Sequence, residues 1–231
     1  MTTDILNISE EQLVDYSKAH NEPSWMTELR KKALKLTETL EMPKPDKTKL
    51  RKWDFDSFKQ HDVKGDVYQS LSQLPESVRE IIDVDHSKNL VIQHNNTIAY
   101  TQVDDNASKD GVIVEGLADA LMNHSDLVQK YFMKDAVTVD EHRITALHTA
   151  LVNGGVFVYV PKNVVVEHPV QYVVLHDDEN ASFYNHVIIV TEESAEVTYV
   201  ENYLSNASGE GNQLNIISEV IAGANSNITY G

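Results

Sequence analysis

The chain of 231 residues contains no cysteine. This absence excludes disulfides, a cysteine nucleophile, zinc–thiolate sites and any iron–sulfur cluster held by thiolates of these residues. The chain also lacks an apolar run near the roughly 20 residues of a membrane-spanning helix, and it does not open on a basic and then apolar leader. We therefore expect a soluble, cytoplasmic protein.

Positive charge is scarce and unevenly placed. Nineteen Lys and Arg stand against 36 Asp and Glu, and the net charge of −17 argues against binding to a phosphate backbone. No Lys or Arg follows Lys162, whereas nine of the 19 lie within residues 30–52. That basic segment is either a solvated face or a surface that docks an acidic partner. A Gly-rich loop followed by Lys-Ser or Lys-Thr is absent, which excludes the usual ATP site.

The first half of the chain carries helical patterns. Ser9 and Gln12 have the spacing of a capping box, and Pro23 begins a second helix. Its apolar stripe predicts core or interface packing and consists of Trp25, Met26, Leu29, Ala33, Leu36 and Leu40. Further helices are predicted over 75–82, 117–122, 125–132 and 140–153, with Gly154 or Gly155 as the left-handed stop of the last. Asn95-Asn96 predicts a hairpin turn between strands 90–93 and 97–103. Residues 46–74 have no clear period, although Trp53, Phe55 and Phe58 suggest anchoring on a surface.

The second half consists of short apolar bursts. The bursts span residues 156–160, 164–166, 172–175, 187–190, 197–200, 214–221 and 228–230. The closest bursts leave too few residues for a helical crossover, so an antiparallel sandwich and a parallel β-helix both fit. Because VFVYV and HVIIV are apolar at consecutive positions, strands buried on both faces, as in a β-helix, are favoured.

Two stretches carry a resemblance. "ALHTALVNGGVFVYVPKNVVVEHPVQYVV" together with "HVIIVTEESAEVTYVENY" resembles the core of the SufB/SufD family of iron–sulfur cluster assembly scaffolds, and "NEPSWMTELRKKALKLTETLEMPKP" is similar to that family's N-terminal helix. The helix leading into "DKTKLRKWDFDSF" and the lack of cysteine favour the SufD branch.

The resemblance implies an α+β fold, with an N-terminal helical region followed by a right-handed parallel β-helix that is incomplete at the C-terminus. We accordingly divide the chain into an N-terminal helical region (1–45), a linker with a short helix (46–89), a mixed strand and helix segment leading into the core (90–153), and the first part of the parallel β-helix core (154–231).

The function that the resemblance implies is a non-catalytic scaffold subunit of the Suf complex. Its partners are a SufB-like paralogue and, through a C-terminal region outside these residues, a SufC-like ABC-type ATPase. The iron–sulfur cluster is then the product of the complex, and this fragment binds no cofactor of its own. No position matches the family's cluster-linked histidine, so no catalytic, cofactor-binding or metal residue is assigned. We also expect self-association through the open β-helix end.

Two other functions remain open. A carbohydrate-active β-helix enzyme requires clustered carboxylates and aromatic platforms on one ladder. A cupin-type metal enzyme requires converging His and Glu, for which the candidates are His168, His176 and His186 with Glu167, Asp177 or Asp178. We interpret these histidines instead as corner and surface residues. His142 and His148 are six apart, which places them on different helix faces.

Overall fold

The computed structural model describes residues 8–50, 53, 55, 61–82, 87–205 and 214–231. Within these residues seven α-helices and nine strands follow one another, with a 3-10 turn at Leu71–Gln73. The helices are α1 (Glu10–Ala19), α2 (Ser24–Thr39), α3 (Glu76–Arg79), α4 (Asp105–Lys109), α5 (Leu117–Asn123), α6 (Ser125–Tyr131) and α7 (Arg143–Leu151). The part of the chain covered by these ranges has no helix long and apolar enough to cross a bilayer.

The strands form two sheets. They are β1 (Asn89–His94), β2 (Thr97–Gln102), β3 (Ile113–Gly116), β4 (Gly154–Val160), β5 (Val170–His176), β6 (Phe183–Thr191), β7 (Glu196–Ser205), β8 (Leu214–Ala222) and β9 (Asn227–Tyr230). The five-stranded sheet has the order β2-β1-β5-β7-β9, and the four-stranded sheet has the order β3-β4-β6-β8. From β4 onward, successive strands alternate between the sheets, and each strand from β6 on pairs parallel with the strand two positions earlier.

The two middle strands of the four-stranded sheet, β4 and β6, are covered on both faces. One face packs on helices, in a core cluster that joins Phe157 and Ile188 to residues of α5, α6 and α7. The other face packs on the five-stranded sheet through valines such as Val156 and Val187. The far face of the five-stranded sheet is covered by the segment around α3. All nine residues of β6 are consequently buried, which explains why this strand is apolar at consecutive positions.

The two N-terminal helices follow the sequence pattern. Ser9 caps α1 and bonds reciprocally with Gln12, so the predicted capping box is confirmed. Pro23 is the N-cap of α2, and the predicted stripe packs into the helix-side core from Trp25 to Leu36, with Met26 and Ala33 fully buried. Leu40, the last residue of the predicted stripe, is the C-cap of the helix. The apolar face of α2 lies against α7.

Arg30, one member of a buried ion pair, fastens α2 to the end of α7. Arg30 is 2% exposed and donates two hydrogen bonds to the Glu22 carboxylate. It also donates to the carbonyl oxygens of Ala150, at 2.9 Å, and Val152, at 2.7 Å. The last carbonyl oxygens of a helix accept no hydrogen bond from within that helix. Arg30 supplies the missing donor groups from another helix and so caps the end of α7.

The structure corrects the predicted end of the last helix. The helix begins at Arg143 and ends at Leu151, and the glycines lie inside β4. Gly155 has φ of +132°, and a Cβ there would lie 2.0 Å from the carbonyl oxygen of His186 on the neighbouring strand. Glycine is therefore required for a close approach of two strands and does not stop the helix.

Other boundaries were predicted with mixed success. The hairpin at Asn95 is confirmed, with Asn95 at φ of 50°. Residues 164–166 do not form a strand, and only an isolated parallel bridge joins Val165 to Glu196. Phe55 packs against the core as predicted, but Trp53 is 62% exposed, and Phe58 lies outside the described residues.

The coarse fold class is confirmed as α+β, with N-terminal helices followed by largely parallel sheets. The β1–β2 and β3–β4 pairs are antiparallel. Every pair among β4 to β9 is parallel, and the hairpin-linked sandwich therefore does not describe this region.

Candidate functional site

Three charged or titratable side chains meet inside the helix-side core. His148 comes from α7, His186 from β6 and Glu219 from β8, and all three are fully buried. Burial of such groups is costly unless every polar atom finds a partner. Their partners therefore determine what the site can do.

The side chains form a continuous line of hydrogen bonds. His148 Nε2 lies 3.0 Å from His186 Nδ1, and His186 Nε2 lies 2.8 Å from Glu219 Oε2. At the other end, His148 Nδ1 lies 2.8 Å from Asn215 Oδ1. We call these four residues the His–Glu chain. It joins α7, β6 and β8 through side chains alone.

Glu219 extends the connection to the loop that follows α6. Its Oε2 accepts a hydrogen bond from the Met133 N–H at 2.8 Å, and its Oε1 accepts one from the Val137 N–H at 3.3 Å. The ring of Phe132 packs on His186 with 4.4 Å between centroids. The carboxylate therefore binds an irregular backbone segment to the sheet edge.

Burial determines the protonation state of one member of the line, His148. With the Asn215 amide oxygen facing His148, the Nδ1–H of His148 donates to that oxygen, and its Nε2 is the acceptor for His186 Nδ1–H. Burial, followed by the neighbouring His186 ring, holds the pKa of His148 well below its usual range. His148 is therefore neutral and can donate from one ring nitrogen only.

A second polar group lies between the two sheets. The Tyr172 hydroxyl donates to Gln93 Oε1 at 2.6 Å, and the Gln93 amide donates to Asn185 Oδ1 at 3.1 Å. The Gly155 N–H donates to the same Gln93 oxygen at 3.0 Å. Burial raises the pKa of Tyr172 well above its usual range, so its hydroxyl remains a donor. This group fixes the register of β1, β4, β5 and β6 within an otherwise apolar core.

The histidines singled out from the sequence lie in different environments. His142 caps α7, where its Nδ1 accepts from the Thr145 N–H. His176 ends β5, is 6% exposed, and packs against Phe183. Asp177 pairs with His94, at 3.0 Å. The interpretation of His186 as a corner or surface residue is wrong, because it lies at the centre of the helix-side core.

His168, His176 and His186 are not brought together. Within the part of the chain that the structure describes, no group of three His, Cys, Asp or Glu side chains is arranged to hold a metal ion. The His–Glu chain is linear, and its nitrogen and oxygen atoms are engaged with one another rather than pointing at a common centre. Its geometry suits fixing three elements to one another, not the converging ligand set of a cupin-type centre.

Sequence reasoning missed the His–Glu chain because its members are far apart along the chain. A signal for one member was present: Glu219 stands between Ile217 and Ile221 on the same face of an apolar strand. A carboxylate at that position in a period-2 pattern predicts either an edge exposed to solvent or a buried, fully bonded group.

Comparisons with known proteins cover nearly the whole chain. A family model described as the SufBD protein N-terminal region matches residues 10–172. A second, described as the SufBD core domain of the SUF system for FeS cluster assembly, matches residues 173–231.

Individual relatives agree with these models. The iron–sulfur cluster assembly protein SufD of Bacillus subtilis is 48% identical over 227 residues, which is 98% of this chain and 52% of the relative. A SufBD family protein of Pyrococcus horikoshii is 27% identical over 86% of this chain and 46% of its own length. One of Staphylococcus epidermidis is 26% identical over 96% of this chain and 50% of its own.

The chain spans about half the length of the curated relatives it matches. The matched regions of the two models adjoin at residues 172 and 173, within β5. Together they extend from the first helix to the last strand, and the chain belongs to the SufBD family.

Proposed function

We propose that these residues are part of a non-catalytic scaffold subunit of an iron–sulfur cluster assembly complex. The observation that carries the proposal is the 48% identity to a SufD assembly protein over 98% of this chain. The cluster is the cargo of the complex rather than a resident cofactor of this subunit.

The composition supports a division of labour between subunits. Iron–sulfur clusters are held mainly by cysteine thiolates, and these 231 residues contain none. The buried His148 and His186 bond to each other and to Glu219, with no exposed nitrogen at which iron enters. We therefore assign the thiolates to a SufB-like paralogue and a positioning role to this chain.

The proposed scaffold is a right-handed parallel β-helix. Alternation of β4 to β9 between two sheets, with parallel pairing of every second strand, supports that architecture. A stack of short strands offers a long, stiff surface along which a paralogue with the same architecture pairs. We place the contact with a SufC-like ABC-type ATPase outside these residues.

The test is affinity purification of the full-length natural protein, tagged and expressed at its native level. We expect a SufB-like chain and an ABC-type ATPase to copurify in fixed proportion, and the isolated subunit to release no sulfide from cysteine. Loss of the subunit should lower the activity of several iron–sulfur enzymes together. The proposal would be contradicted if neither partner copurified. It would also be contradicted if cells that lack the subunit kept full activity of their iron–sulfur enzymes.

A further inference from the structure

An asparagine–glycine pair lies at the start of β4. Asn153 followed by Gly154 is the only Asn-Gly pair in the sequence. Glycine has no Cβ, so its backbone nitrogen is unhindered toward the preceding side chain. In a flexible chain such a pair loses ammonia, because the glycine nitrogen attacks the amide carbon of the asparagine and forms a cyclic imide. Water then opens the imide to an aspartyl or an isoaspartyl residue.

The fold immobilises the Asn153 side chain, which is 6% exposed. Its Nδ2 donates to the carbonyl oxygens of His61 and Ser182, both at 2.8 Å. Its Oδ1 accepts from the Tyr184 N–H at 2.9 Å. Ring closure has to turn the amide carbon toward the Gly154 nitrogen and release Nδ2 as ammonia, so these hydrogen bonds must break first. Their loss at a buried position is costly, and the folded chain is therefore protected.

The contacts of Asn153 depend on the N-terminal helices. The ring of His61, whose carbonyl oxygen accepts from Asn153, packs on Tyr16 of α1 with 4.5 Å between centroids. Arg30 of α2 donates to the Val152 carbonyl oxygen, one residue before Asn153. When α1 and α2 leave the core, the segment before β4 loses these contacts and Asn153 meets water.

The product does not fit the site in which it forms. An aspartate at position 153 cannot donate a hydrogen bond, and its carboxylate would face the carbonyl oxygens of His61 and Ser182. A buried charge without a partner is costly. The isoaspartyl form also lengthens the backbone just before Gly155, where the backbone of His186 leaves no room for a Cβ. A molecule that has reacted therefore does not regain its former stability.

We infer that Asn153-Gly154 is a deamidation site that is unreactive in the folded chain and becomes reactive when α1 and α2 leave the core. A bond forms between the Gly154 nitrogen and Asn153 Cγ, and the bond from Cγ to Nδ2 breaks. The proton of the Gly154 N–H passes to solvent, ammonia takes one from it, and water is the only co-reactant. The reaction converts a reversible opening into a permanent one. The inference concerns the lifetime of the folded chain and does not depend on the scaffold role proposed above.

The test follows one tryptic peptide by mass spectrometry after the full-length natural protein has been incubated in mildly alkaline buffer. Trypsin cleaves after Arg143 and Lys162, and Asn153 is the only Asn or Gln in the peptide 144–162. A mass gain in this peptide therefore reports position 153, and chromatography separates the aspartyl from the isoaspartyl product. The parent, Arg30→Met and Lys31→Met are compared in buffer and in guanidinium chloride.

The three proteins should deamidate at one common rate in guanidinium chloride. In buffer the parent should react at least about a hundredfold more slowly, because the reaction waits for a rare opening. Arg30→Met lacks the bond to Val152 and should react about tenfold faster than the parent, or more. Lys31→Met should match the parent, since the ion pairs of Lys31 lie at the surface. The parent rate should also rise with guanidinium chloride below the unfolding midpoint, a measurement that needs no variant.

The effect of the product is tested separately with Asn153→Asp. Its control is Asn163→Asp, because Asn163 lies in the turn after β4 and is exposed. In urea unfolding, the ratio of folded to unfolded protein should fall at least about a hundredfold in Asn153→Asp and stay close to the parent in Asn163→Asp.

Three outcomes overturn the inference. Equal deamidation rates in buffer and in guanidinium chloride would show that the fold does not protect Asn153. A rate in folded Arg30→Met no higher than in the parent, or no rise in the parent rate below the unfolding midpoint, would separate the reaction from the N-terminal helices. An Asn153→Asp variant as stable as the parent would show that the opening is not made permanent.

Discussion

Replacing Arg30 by methionine tests how the N-terminal helices are held to the core. The Arg30 side chain is 2% exposed and that of Glu22 is 6% exposed, so the pair is desolvated. Arg30 also lies over the ring of Tyr16, 5.0 Å from its centroid. Methionine fills a similar volume but leaves the Glu22 carboxylate in the interior without its cation.

The expected loss follows from the unpaired charge. Removal of one partner of a buried ion pair costs about 3–5 kcal/mol, and the two carbonyls at the end of α7 lose their donor as well. We expect the free energy of unfolding to fall by about 4 kcal/mol, a large part of the 5–15 kcal/mol typical of a domain. The double variant Arg30→Met/Glu22→Gln removes the isolated charge and should recover about 2 kcal/mol of that loss.

The pH dependence gives a second readout. Burial alone would raise the pKa of Glu22, but the charge and hydrogen bonds of Arg30, with a hydrogen bond from Ser17, outweigh it and lower that pKa. A depressed carboxylate pKa stabilises the fold above the usual value of 4.5, and this stabilisation is lost as the pH falls. The stability difference between the parent and Arg30→Met should therefore narrow on acidification.

The assay is urea unfolding followed by circular dichroism at neutral pH and near pH 4. Lys31→Met is the matched control, because Lys31 is the next residue on α2 and its ion pairs with Glu10 and Glu28 lie at the surface. The urea midpoint of Lys31→Met should remain close to that of the parent. A loss below about 1 kcal/mol in Arg30→Met, or a double variant no more stable than the single one, would refute the reasoning.

Three further predictions concern the interior. Glu219→Ala should expose the Met133 and Val137 amides to hydrogen exchange and cost about 2–4 kcal/mol in urea unfolding, whereas Glu219→Gln, which keeps an acceptor, should cost less. Burial, followed by the charge of Arg30, lowers the pKa of His61 from 6.5 to about 4. Unfolded His61 therefore takes up a proton at higher pH than the folded form, and acidification from pH 7 to pH 5 should cost about 2 kcal/mol of unfolding free energy, most of it absent in His61→Gln. Gly155→Ala should abolish soluble expression or lower the melting temperature sharply, because its Cβ would overlap the backbone of β6.

Each of these has a result that would count against it. Equal stability of Glu219→Ala and Glu219→Gln would show that the carboxylate's acceptor role is unimportant. An unchanged pH slope in His61→Gln would place the acid sensitivity on other groups. A fully stable Gly155→Ala would mean that β4 and β6 lie farther apart than described, whereas Gly231→Ala, where a Cβ meets only ordinary contacts, should be neutral in any case.

Local patterns were sufficient to predict the two N-terminal helices. The capping box at Ser9, the proline at the start of α2 and the stripe through Met26 and Ala33 act within one or two turns of helix. Such signals depend on neighbours in sequence and survive in the folded chain. The short, consecutive apolar bursts likewise predicted strands buried on both faces, as β6 shows.

Tertiary contacts decided what the sequence could not show. The Gly154-Gly155 pair has the appearance of a helix stop, and its actual role depends on the backbone of β6, which follows about 30 residues later. The His–Glu chain depends on parallel register, in which His186 lies opposite Ile217 on β8 and thus beside Glu219. Unless the register of β6 on β8 is known, the sequence does not show that His186 and Glu219 are neighbours.

The alternation of strands between the two sheets also bears on how the polypeptide reaches this state. Gly154 pairs with Asn185, Asn185 pairs with Ile216, and Val170 pairs with Tyr199, so each pairing closes a loop of about 30 residues and carries a nearly equal entropic cost. Each of β6 to β9 finds its partner already synthesised on its N-terminal side. Growth of the sheets in the order of translation therefore never has to wait for a distant segment.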